Sequence, residues 1–198
     1  MTPLCGLVLA GGRSSRMQED KAALVFGRRP QLAEAYALIA PRVVRAFVSV
    51  RPDQRDEPLR ARFPQVVDGT AGQGPVAGIL AAQALDPAAA WLVVACDLPL
   101  LDGATLDELV AGRDPAQLAT AFRSAHDGLP EPLCAIWEPA SAVLLSRWVE
   151  SGQSCPRRFL MRHDARLLDA ARPRALDNAN TPQDAAGLRA AIAAGGRA

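Results

Sequence analysis

Lysine is nearly absent from this chain of 198 residues: Lys21 alone interrupts an otherwise all-arginine basic set. Basic and acidic side chains almost cancel, 22 against 21, for a net charge of +1. No overall field therefore draws the chain to nucleic acid or to an anionic membrane, and any anion binding must come from local arrangement. The four cysteines, Cys5, Cys96, Cys134 and Cys155, form no CxxC pair, which removes the usual spacing of a zinc site or redox dithiol. The sequence shows no basic, long-apolar signal segment, and no apolar run approaches a membrane span. A reducing cytoplasm is the expected compartment, with the cysteines buried as small hydrophobes. GxxxxGK(S/T) and GxGxxG are both missing, so neither a Walker A loop nor a dinucleotide fingerprint is present. No Ser-His-Asp set stands out, and the two histidines, His126 and His163, read as surface or loop residues.

What is present is a globular balance, 49% hydrophobic and 22% charged, in a length suited to one domain over residues 1–198. Strand-like runs alternate with helical patterns. Strands are expected at "LCGLVLA", "RAFVSV", "QVV" and "WLVVA", and helices at "PQLAEAYALIA", "VAGILAAQAL" and "ATLDELVAG". Further on, "QLATAF", "PLCAIW" and "PRALDN" are strand candidates, while "PASAVLLSRWVE" and "TPQDAAGLRAAIAA" read as helices. The charged, proline-containing stretch from Asp53 to Arg62 reads as a connection. This alternation predicts an α/β fold with a mostly parallel sheet and helices on both faces.

Ligands of an open parallel sheet gather beyond the carboxyl ends of its strands. Three strands here end in unusual loops, "LAGGRSSR", "VDGTAGQGP" and "ACDLPLL", which would project from one edge. In the first, Gly11 and Gly12 let backbone N–H groups approach an anion, with Arg13, Arg16 and Lys21 supplying charge. Taken alone, that loop is equally a solvated strand-to-helix turn. Asp97 follows the most apolar strand, where a carboxylate can hold Mg²⁺ together with substrate phosphates, or can simply satisfy turn amides. Asp68 opens the glycine-rich loop, whose backbone could run beside a flat ligand.

These stretches together resemble the molybdenum cofactor guanylyltransferase family. "LAGGRSSRMQEDKA" is similar to its N-terminal signature, and "GPVAGI", "CDLPLL" and "NANTP" follow in the family's order, covering Leu9 to Asp184. The resemblance implies a Rossmann-like three-layer α/β/α sandwich of nucleotide-diphospho-sugar transferase type. It implies Mg²⁺-dependent transfer of GMP from GTP to the phosphate of molybdopterin, with release of pyrophosphate. By position, Leu9, Ala10, Gly11 and Gly12 would hold the nucleotide, with Arg16 and Lys21 near its phosphates. Gly78 and Ser49 would join the nucleotide site, Asp68 would face guanosine, and Asp97 would bind the metal. By the same resemblance, Arg16, Lys21 and Asp97 would form the catalytic set. Asn180 would line the pterin side, with "HDGLPEPLCAIW", Arg157 and Arg158 as pterin-phosphate contacts. Partners implied are other cofactor-biosynthesis proteins or chaperones of target molybdoenzymes, with neither nucleic acid nor membrane.

Two positions depart from the family pattern. Gln18 stands where a glycine is usual after Arg-Met, and Ser49 where many relatives have asparagine. Related cytidylyltransferases usually carry LAAG and lack the "GPVAGI"-like run, so Gly11, Gly12 and that run favour guanine. The alternatives are a cytidylyltransferase or sugar-phosphate nucleotidyltransferase, or a nucleotide-binding accessory protein without turnover.

Overall fold

In a computed structural model of the chain, residues 2–11, 20–69, 74–179, 183–184 and 187–188 are described. Seven strands form one sheet: β1 (Leu4–Leu9), β2 (Ala46–Val50), β3 (Gln65–Val67), β4 (Ala90–Ala95), β5 (Ala119–Arg123), β6 (Pro130–Trp137) and β7 (Ala165–Leu168). Their spatial order is β3-β2-β1-β4-β6-β5-β7. The pairs β1–β2, β1–β4, β2–β3 and β5–β7 are parallel, whereas β6 runs antiparallel to both β4 and β5.

The apolar character of the central strands follows from burial on both faces. On one face Val8, Leu92 and Val94 pack with Leu32 and Ile39 of α1 (Gln31–Ile39) and with Leu106 and Leu109 of α3 (Gly103–Ala111). On the other, Leu7, Trp91 and Val93 meet α2 (Pro75–Leu85), α4 (Ser141–Glu150) and α5 (Pro156–Arg162) through Ile79, Leu145 and Phe159. Successive β4 residues thus feed alternate layers, as a pleated strand requires. Each large apolar side chain removed from water there contributes roughly 1.5–3 kcal/mol.

Local chemistry sets the helix ends that matter here. Asp102 caps α3 by accepting from the Thr105 N–H at 2.8 Å. Gly74, with φ of +63°, turns the chain into α2 and precedes Pro75 at its first position. Within α2, Gly78 lets the helix lie directly on the sheet. A Cβ there would collide with Ser49 Oγ and approach Leu9 Cδ2 to 2.8 Å.

One expectation is corrected, and two elements carry no sequence signal. "PRALDN" is a 3-10 turn (Pro173–Leu176), since a proline suits the first position of a helical turn and cannot donate to a ladder. β7 is a short edge strand carrying Arg166 and no fully buried residue, so no apolar run marks it. α5, only seven residues long, is too brief to show a helical period. The Asp53–Arg62 stretch is a connection as expected, but it contains two 3-10 turns (Pro52–Gln54 and Arg60–Arg62) and one fully buried side chain. Of the C-terminal helix expectation, only residues 183–184 and 187–188 are described, and those are helical.

Two outcomes are expected from this packing. Gly78→Val should lower stability by about 1–3 kcal/mol through overpacking against Ser49 and Leu9, read as a drop in thermal midpoint. Cys155 is exposed while Cys5, Cys96 and Cys134 are buried. A thiol reagent should therefore label Cys155 rapidly in the folded protein, and the other three only after denaturation.

Candidate active site

The three glycine- and aspartate-bearing loops leave one edge of the sheet at one level. Leu9 at the end of β1 is in register with Ser49 of β2 and Ala95 of β4. The ladder continues a residue further: Ala10 N–H donates to Ser49 O at 3.2 Å, and Cys96 N–H to Leu9 O at 3.2 Å. Asp68 N–H donates to Val50 O at 2.9 Å, carrying β3 to the same height. Leu9, Ala10, Gly11, Asp68 and Asp97 are thereby gathered at one tip. Gly12, Arg16, Gln18 and Asn180 lie outside the described residues.

Lys21 Nζ bonds Asp97 Oδ2 at 2.9 Å, an ion pair between residues 76 apart in sequence. Backbone contacts hold each partner. The Asp20 carboxylate accepts from the Ala22 N–H at 3.1 Å, forming a tight turn around Lys21. The first amides of α1 need acceptors and Pro30 offers no side-chain cap. Gln31 N–H donates instead to Leu24 O at 2.8 Å and Leu32 N–H to Ala22 O at 3.1 Å, so the Lys21 segment is pinned to that helix start. On the other side, Asp97 O accepts from Ala179 N–H at 3.0 Å, and Leu98 O from Gln31 Nε2 at 3.2 Å. The "NANTP" segment thus reaches the Asp97 loop through Ala179.

Asp68 is only 9% exposed. A Cβ on Gly11 would touch its Oδ2 at 3.4 Å, so the carboxyl stands beside Gly11. Burial pushes the Asp68 carboxyl above the usual carboxylate range, opposed by the nearby Arg51 guanidinium. Arg51 donates to Gly11 O and pairs with Asp53 at 2.9 Å. Ser49 is 1% exposed and Gly78 sits over it. The two form the packed floor where α2 crosses the strand ends.

Sequence reasoning missed Arg60, which is 1% exposed. Its Nε and Nη2 donate to Ala10 O at 3.2 and 2.8 Å. Nη2 and Nη1 fork onto Asp20 at 2.9 and 2.6 Å, and Nη1 also reaches Glu57 Oε2 at 3.0 Å. Burial works against its charge, but Asp20 and Glu57 more than restore it. The same contacts outweigh the burial of Asp20 and hold that carboxyl below its usual range. The only sequence signal was Glu57 three residues before Arg60, which suggests a local ion pair and gives no hint of burial.

From Asp97 a cleft of about 730 Å³ extends beneath the β5–β6 turn to the start of α5. Arg157 lines it, with its guanidinium held by Asp127 at 2.8 Å and Glu131 at 2.9 Å. Arg158 is exposed and does not line the cleft. His126 is exposed and pairs with Asp177 at 3.0 Å. Cys96, beside Asp97, is buried, and burial pushes its thiol up to about 12, so it is no nucleophile. The edge therefore brings a fixed ammonium, Gly11 and two acidic residues together, next to a cleft.

The chain matches the model of the MobA-like NTP transferase domain over residues 6–167. It is 34% identical over 183 residues to the molybdenum cofactor biosynthesis bifunctional protein of Synechocystis, covering 92% of this chain and 53% of that protein. It is also 34% identical to a molybdenum cofactor guanylyltransferase of Rhizobium johnstonii, covering 91% of this chain and 89% of that one. The chain thus spans about half of the bifunctional relative and most of the guanylyltransferase. A crystal structure of molybdopterin-guanine dinucleotide biosynthesis protein A from Archaeoglobus fulgidus shares the fold, with a TM-score of 0.78 and 22% identity over 96% of this chain and 99% of that one. With the family model spanning residues 6–167, most of the chain, this protein belongs to the MobA-like NTP transferase family.

Proposed function

We propose that the protein transfers GMP from GTP to the phosphate of molybdopterin, forming the guanine dinucleotide and releasing pyrophosphate. The observation that carries this reading is the meeting of Lys21 and Asp97 at 2.9 Å beside the Gly11 turn. A cation and a carboxylate at the strand tips support a triphosphate bound there, where ligands of a parallel sheet gather. The names of the relatives from Synechocystis and Rhizobium johnstonii supply the acceptor. The single continuous sheet supports one nucleotidyltransferase domain, and the four free thiols suit a reducing compartment.

An oxygen of the acceptor phosphate attacks the α-phosphorus in line. A new P–O bond forms there while the α–β bridge breaks, and its electron pair leaves with pyrophosphate. The attacking phosphate is already anionic near neutral pH, so no general base is called for. Catalysis is then mainly positioning and charge stabilisation. Lys21 and Arg16 would offset charge gathering on the leaving pyrophosphate, and the Gly11 turn would hold the phosphates by backbone N–H groups.

Asp97 suits Mg²⁺, which prefers one or two carboxylates with substrate phosphates and water. No group of three or more His, Cys, Asp or Glu converges among the described residues, so an all-protein cage is not what these side chains build. When bound, the ion would neutralise charge on the phosphate oxygens around the reacting centre. Asp68 supports guanine: its carboxylate can accept from the ring N–H and amino group of that base, and this pairing would offset the burial of the carboxyl.

Incubation with Mg²⁺, molybdopterin and each labelled nucleoside triphosphate should release pyrophosphate with GTP; release with CTP alone would overturn the guanine assignment. Asp97→Asn and Lys21→Ala should fold normally and each lose transfer rate by about 10²–10³-fold, roughly 2.7–4 kcal/mol of transition-state stabilisation. An unchanged rate in either removes that residue from the site. Asp68 accepts from both the ring N–H and the amino group of the base only when ionised, and its carboxyl titrates above the usual range. GTP affinity should therefore fall as pH drops through that raised value, and Asp68→Asn should abolish the inflection while weakening binding.

A further inference from the structure

Arg60 uses every donor it has. A guanidinium carries five N–H groups, and five hydrogen bonds leave it: two to Ala10 O, two to Asp20 and one to Glu57. Burying one cation this completely is costly unless its partners are fixed in place. The partners are also unevenly chosen. Glu57 is local, whereas Ala10 and Asp20 are 50 and 40 residues away in sequence. They flank the glycine turn, Ala10 just before Gly11 and Asp20 just before Lys21.

Each contact has a directional consequence. A trans peptide points its C=O and the following N–H in opposite directions. With Ala10 O turned onto Arg60, the Gly11 N–H faces away from that guanidinium. Arg51, from the same connection, takes the next carbonyl, Gly11 O. Both carbonyls that would repel phosphate oxygens are thus engaged by arginines from one segment. At the other end, Asp20 uses Oδ1 both for Arg60 and for the Ala22 N–H, which shapes the turn that aims Lys21 at Asp97.

We propose that Arg60 is a positioning residue for the triphosphate: bonded to Ala10 O and Asp20, it sets the Gly11 N–H and the Lys21 ammonium without touching substrate. This rests on the nucleotidyl-transfer reading, and it makes a demand that a purely structural role does not. Loss of Arg60 or Asp20 should be felt in proportion to the phosphates on the ligand. The base and ribose, which this reading places beside Asp68, should be unaffected.

The test is equilibrium dialysis of the full chain with labelled guanosine, GMP and GTP in Mg²⁺ buffer, on the wild type, Arg60→Lys and Asp20→Asn. Folding of each is checked by circular dichroism. Lysine keeps the charge but cannot fork to a carbonyl and a carboxylate together, and asparagine keeps the Asp20 turn while removing its charge. Expected is a loss of about tenfold or more in GTP affinity, the scale of one charge-assisted hydrogen bond, with guanosine within about twofold of wild type and GMP between. An equal loss for all three ligands, or unchanged GTP binding, overturns the proposal. If wild type binds GTP no more tightly than guanosine, the transfer reading falls and this proposal with it. Preference for GTP in wild type that persists in both variants defeats this proposal alone. Should Arg60→Lys fail to fold, Asp20→Asn decides by the same criteria.

Discussion

β1 is hydrogen-bonded on both sides by parallel strands, with Leu9 level with Ser49 in β2 and with Ala95 in β4. Parallel pairing forces the connections from β1 to β2 and from β3 to β4 to return along the outside of the sheet, and their helices α1 and α2 cover its two faces. It also sends the loops after β1, β3 and β4 out of the same edge. Had the register of β4 slipped by one residue, its buried residues would have exchanged faces and Asp97 would point into the opposite layer. The wholly buried β4, feeding Trp91 and Val93 to one layer and Leu92 and Val94 to the other, makes such a slip costly.

On that edge, charge is arranged by what each backbone group is left to do. Arginines from the β2–β3 connection engage the carbonyls of Ala10 and Gly11. The single lysine faces the single carboxylate of the β4 tip. The net charge of +1 is no obstacle to binding a polyanion, because the field is built from a few oriented groups. The floor beneath is apolar and tightly packed, with Ser49, Leu9 and Gly78 in contact, so the polar groups above it rest on a part of the fold that cannot easily yield.

Much of this was legible before any coordinates. The strands β1 to β6 and helices α1 to α4 follow from apolar runs, proline starts and the α3 cap. The placement of the loops after β1, β3 and β4 at one edge follows from parallel topology alone. The features that escaped share a physical cause. β7 and α5 are short and half exposed, so neither buries enough to leave a periodic apolar signature. "PRALDN" has strand-like ends, but its proline begins a helical turn. Arg157 lines the cleft, and its pairing with Asp127 and Glu131 depends on how the β5–β6 turn folds over α5. Arg60 was hidden in the charged stretch from Asp53 to Arg62 because nothing local distinguishes a buried arginine from a solvated one.

By itself, the sequence determined the alternation of strands and helices, the glycine turns, the lone Lys21 and the acidic residues that end β3 and β4. These are short-range properties, encoded in hydrophobic period, backbone freedom and residue type within a few positions. Only the tertiary structure decided which charges meet: Lys21 with Asp97, Arg60 with Ala10 and Asp20, and Arg51 with Gly11. Ion pairs between residues tens of positions apart depend on crossovers and burial. The desolvation cost that makes a buried charge choose its partners exists only once the chain has closed around it.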